Sequence, residues 1–168
     1  MRDILDQIKS ASDHGLYHVA LISALAVPDI CGALESSDGQ ATGVKYKKWF
    51  DQWISLKYGD STGTSFSGET CYFYRCAVLH QGRASHAKSQ FSRVAFLEPN
   101  GILSMHDCII NNVLIIDIPT FCDDMIDGAA QWLKQIENNP VFKNNFAHRM
   151  QRYPSGIVGV VSDVAVIA

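Results

Sequence analysis

Arg75 and His80 lie five positions apart in the stretch Arg75–Cys–Ala–Val–Leu–His80, directly ahead of Gln81–Gly82. An arginine offers a permanent charge in a planar fork that can grip a phosphate or a pentacoordinate phosphorane. A histidine moves protons near neutral pH. Together they suffice for metal-free cleavage of an RNA phosphodiester, with the 2′-hydroxyl as nucleophile. Arg75 would hold the scissile phosphate and His80 would act as general acid and base. Residues five apart on an ideal helix are separated by about 140°. The long Arg75 side chain, a loosened helix end at Gly82 or a second chain must therefore bring them together.

Other residues could support that chemistry. Asp29, in Pro28–Asp29–Ile–Cys31–Gly–Ala–Leu–Glu35, can either pair with Arg75 and orient it or cap the turn after Pro28. Arg83, His86, Lys88 and Arg93 form a cationic stretch just past His80 and are the candidate RNA contacts in an otherwise acidic chain. Lys45, Tyr46, Lys47, Lys48, Trp49 and Trp53 could stack bases and neutralise phosphates, but their spacing reads first as a core face with solvated lysines. His14 and His18, and the triplet His106–Asp107–Cys108, read as structural. No metal-ligand spacing, glycine-rich nucleotide loop or hydrolase elbow is present, so no metal and no cofactor is expected.

The elements that must position these groups can be read from periodicity and caps. Ile4, Leu5 and Ile8 predict a helix over residues 2–12, ended by Gly15. Residues 16–34 predict a longer central helix, kinked or divided at Pro28. Residues 45–56 follow as a third helix, and Gly59 to Ser67 as a polar loop. Ser67 is an N-cap for a fourth helix that carries Arg75 and His80 and stops at Gly82. Phe66 and Cys71 are placed to staple its start. Val94 to Leu97 and Val113 to Ile118 predict two strands. Pro119 opens a helix through Ile136, Val141 to Arg152 predicts one more, and the apolar tail reads as an extended segment packed on the body. These elements make one α+β domain over 1–168, with a helical core in 1–90 and short strands, helices and the tail in 91–168.

The totals agree with a globular chain. Of 168 residues, 47% are hydrophobic and 18% charged, which excludes a disordered chain, and the net charge of −3 excludes a global nucleic-acid footprint. Five cysteines, an odd number with no CxxC pair, point to reduced thiols rather than a disulfide framework. The start, MRDILDQIKSASDHG, has no secretory core, and no apolar run reaches the length of a membrane span. A cytoplasmic protein without a membrane partner is expected.

The blocks VPDICGALE, KYKKWFDQW and ETCYFYRCAVLHQG, in that order, resemble the HEPN superfamily, and in particular a bacterial branch of HEPN-like proteins with PDICGALE and RCxLLHQG blocks. The resemblance covers residues 1–85 best. It implies a mainly α, HEPN-like helical bundle of four or five helices, here with a small C-terminal β-containing extension. It implies a homodimer with Arg75 and His80 of both chains near the axis. It also implies metal-independent endoribonuclease activity in active members, many of them toxins or phage-defence effectors, while other members are non-catalytic modules that bind a protein or ligand. Active members usually carry a polar residue, most often Asn, after the motif arginine. This chain has Cys76 there, whose thiol is a weak hydrogen-bond partner.

Overall fold

The computed structural model describes residues 1–59, 66–83, 85–101 and 105–168. Most of the polar loop read over Gly59 to Ser67 lies outside the described residues. Helices dominate: α1 (Arg2–Asp13), α2 (Tyr17–Leu34), α3 (Gly43–Trp53), α4 (Gly68–Gln81), α5 (Ile118–Ile136) and α6 (Pro140–Ala147), with a short 3-10 turn at Ser55–Lys57. Their starts follow local chemistry. Thr42 accepts from Lys45 N, Ser67 from Thr70 N, Asp117 from Thr120 N, and Asn139 from Val141 N and Phe142 N. Gly82 closes α4 in the left-handed region, with φ of 61°.

α2 is the centre of the packing. It touches α1, α3, α4, α5 and α6. It runs without a break through the buried Pro28, so the expected division there does not occur. The Tyr46 hydroxyl of α3 donates to the Leu25 carbonyl at 3.0 Å, in the turn just before the proline. By length and composition α2 is apolar enough to cross a membrane, contrary to the sequence reading, but half of it is buried inside the chain. One hydrophobic core spans both halves of the sequence. Trp49 of α3 meets Trp132 of α5 edge-on at 6.4 Å, and Phe66 lies between Phe50, Tyr58 and Phe121. The helical core therefore includes α5 as well as residues 1–90.

The strands are β1 (Arg93–Leu97), β2 (Cys108–Ile110) and β3 (Val113–Asp117), in the order β1-β3-β2. β1 runs parallel to β3, with Arg93 opposite Val113, and β2 runs antiparallel to it. β2 was not expected. It joins β3 through Asn111 and Asn112, both at positive φ, the two-residue turn that matches strand twist. α6 stops at Ala147, short of the expected Arg152. The tail forms two small nested pairs, β4 (Arg152–Tyr153) with β7 (Val166–Ile167) and β5 (Gly156–Ile157) with β6 (Val161–Ser162). It is not packed on the body as expected. Val158, Val160 and Val164 are exposed, because a self-paired ribbon satisfies its backbone without a second layer.

α4 is set by its first residue. Gly68 N donates to Asp51 Oδ1 at 2.6 Å, and the backbone of α4 lies so close to α3 that a Cβ on Gly68 would sit 2.4 Å from the Lys47 carbonyl oxygen. Both obstructing atoms nearest to it belong to backbone and cannot rotate away. Gly68→Ala is therefore expected to push α4 off α3 and to cost about 2 kcal/mol, measured as a lower urea midpoint with an unchanged m-value.

Candidate functional site

Arg75 leaves α4 toward α2. Its Nε donates to Asp29 Oδ2 at 2.7 Å, and Nη2 lies 2.6 Å from the same oxygen. Nη1 lies 2.9 Å from His80 Nε2. The extended guanidinium thus closes the angular gap that separates the two residues on the helix. A guanidinium can only donate. His80 Nε2 is therefore the acceptor, and the ring proton sits on Nδ1. His80 itself is exposed, on the last turn of α4. Cys76 Sγ lies 4.0 Å from the same Nη1.

The Asp29–Arg75 pair is mostly out of water, with side chains 15% and 19% exposed. Burial raises the Asp29 carboxyl above 3.8 even against the pull of Arg75. Burial acts to lower Arg75, but Asp29 outweighs it and holds the guanidinium above its usual value.

Of the four candidate RNA contacts, Arg83 and His86 line one groove of about 590 Å³, together with Gln81, Ser92 and Asn112 among others. Lys88 and Arg93 are exposed and do not line it. The His86 ring stacks flat on Phe73, 4.7 Å between centroids and 3° between planes. The aromatics of α3 are core: Tyr46 and Trp49 are buried, and only Trp53 is partly open. Glu35 does not join the site. It accepts from Trp132 Nε1 at 2.8 Å and ties α2 to α5. His14 bonds the Ser10 carbonyl, and His106 accepts from Asp117 N. Among the described residues no three His, Cys, Asp or Glu side chains form a metal-binding group. Reasoning along the sequence missed Asn112 and Gln81. The Asn111–Asn112 pair between two β-branched runs was the signal that would have found the hairpin carrying Asn112.

Two predictions follow from burial. The folded chain holds the Asp29 proton more tightly than the unfolded chain, so this carboxyl makes stability fall as pH rises from 3.8 through its raised value. Asp29→Asn should remove that component, and by leaving the mostly buried Arg75 charge unpaired it should lower stability at neutral pH by about 3 kcal/mol, as read by urea unfolding over the acid range. Burial also raises the thiols of Cys31 and Cys71, and pushes Cys122 up to about 12. A thiol reagent at neutral pH should label only the partly open Cys76 and Cys108 in the folded protein, and all five thiols in denaturant.

No protein-family model, no curated protein sequence and no solved structure matches this chain.

Proposed function

We propose that the chain is a HEPN-like protein that cleaves RNA without a metal ion at Arg75 and His80. One observation carries this reading: an exposed histidine whose Nε2 is 2.9 Å from an arginine Nη1, at the end of the helix that holds both. In this reading the substrate phosphate draws Nη1 away from His80. That frees the Nε2 lone pair to take the proton of the 2′-hydroxyl. The 2′-oxygen attacks the adjacent phosphorus, the bond to the 5′-oxygen breaks, and His80 returns its proton to that oxygen. The products are a 2′,3′-cyclic phosphate and a 5′-hydroxyl. Arg75 stabilises the charge that develops on the phosphorane. A homodimer that places two such sites side by side, and a role in the cytoplasm as a toxin or defence protein, belong to the same proposal.

A second reading rests on a specific observation. Two of the three guanidinium nitrogens face Asp29, and Cys76 replaces the usual polar neighbour. An arginine so committed suits a non-catalytic module that binds RNA or a protein partner.

The test is cleavage of a mixed RNA substrate by purified protein in EDTA. The wild type should yield 2′,3′-cyclic ends, and His80→Ala should lower the rate roughly a hundredfold or more with an unchanged circular dichroism spectrum. Equal cleavage by both proteins, or none by either, rejects the catalytic reading in favour of the binding one.

A further inference from the structure

The groove that begins one residue after His80 has a chemical character of its own. It lies between the end of α4, the segment leading into β1 and the β2–β3 turn, with Gln81 and Arg83 on one side and Asn112 on the other. Among its described lining residues there is no carboxylate, although the chain as a whole carries more acids than bases. Side-chain amides, hydroxyls, one arginine and one histidine supply the polar surface. Arg83 is exposed and makes no ion pair among the described residues, whereas the charge of Arg75 is met by Asp29.

His86 is prepared as a donor. Its Nδ1 accepts from Lys88 N at 3.2 Å, which leaves the ring proton on Nε2. The stack on Phe73 sets the plane of that ring. The far wall is held as well: Ser92 N and Ser92 Oγ both donate to the Asn112 carbonyl at 2.9 Å, pinning the hairpin turn to the start of β1. A groove with no carboxylate in its described lining, a guanidinium without an ion pair among the described residues, an imidazole N–H and neutral amides suits a phosphate with a polar base or sugar attached. A volume of about 590 Å³ is in the range of small-molecule sites.

We infer that this groove is a nucleotide subsite, in which Arg83 and His86 hold a phosphate and Asn112 contacts the attached nucleoside. The inference deepens the nuclease reading and rests on it for the identity of the ligand, an RNA strand, but it stands on residues outside the Arg75–His80 pair. It divides the work between two arginines. Arg75 positions His80 and meets the reacting phosphate, while Arg83 anchors a neighbouring one.

The experiment is equilibrium binding of two probes, adenosine 3′-monophosphate and a short oligoribonucleotide blocked against cleavage by 2′-O-methyl groups. The proteins are the wild type, Lys134→Ala, Arg83→Ala and Asn112→Asp, which places a carboxylate in the groove. Arg83→Ala and Asn112→Asp should each weaken oligonucleotide binding roughly tenfold, and Lys134→Ala, an exposed cation on the last turn of α5, should leave it unchanged. The same losses for the mononucleotide show that the groove also takes free nucleotides. Losses confined to the oligonucleotide restrict the subsite to the RNA chain. Wild-type affinity in both groove variants, or no binding of either probe, overturns the inference. Cleavage with groove-independent binding would reject the subsite and leave the nuclease reading standing. Groove-dependent binding without cleavage would do the reverse.

Discussion

Asp29 and Arg75 hold the candidate site in place through an ion pair that is largely withdrawn from water. The cost of desolvating a carboxylate is large enough that Asp29 stays above its ordinary pKa even with a guanidinium on it. What the geometry of the pair shows is positioning. The pair joins α2 to α4 across the sequence, and it aims the remaining guanidinium nitrogen at His80. Without it the long, flexible Arg75 chain would have no reason to lie along the helix end.

The rest of the packing keeps that contact in register. α4 can reach Asp29 only because Gly68 lets it lie directly on the α3 backbone, and because Asp51 takes the first amide of the helix. α3 in turn is pressed on α2 by Tyr46, Trp49 and Phe50, all buried. Tyr46 also shares its hydroxyl between the Leu25 carbonyl and Cys71 Sγ, so one side chain links α2, α3 and α4. The C-terminal half contributes through α5, whose Trp132 meets Trp49 and binds Glu35. A site that involves residues 29, 75 and 80 therefore depends on core contacts made by residues 46–54 and 118–133.

Electrostatics separates the two arginines near the end of α4. One is neutralised locally and half-buried, and the other is exposed with no carboxylate partner among the described residues. In a chain of net charge −3, an anionic ligand is attracted where acids are locally absent, and the described lining of the groove beside Arg83 carries none. This places the affinity for phosphate next to the reactive pair and not on it, in the proposed reading.

Much of the local structure was legible because its causes are local. Ser67 caps α4 three residues ahead of the amide it accepts, Gly82 ends it by adopting positive φ, and Pro119 opens α5 at the position where a missing amide costs nothing. The Arg75–His80 spacing was equally visible, since both residues lie on one helix. What the sequence left open was set by packing. Asp29 had two readings, a cap or an Arg75 partner, and the choice depended on how α2 and α4 meet across 46 positions. Arg83 and His86 of the groove were named from the sequence, but its Asn112 side was not visible, because Asn112 reaches it through a hairpin whose first strand has only three residues. Tail residues such as Val158 and Val160 looked like core by composition and lie in water, because apolar content says that a segment can be buried and only the arrangement of the other elements decides whether anything covers it.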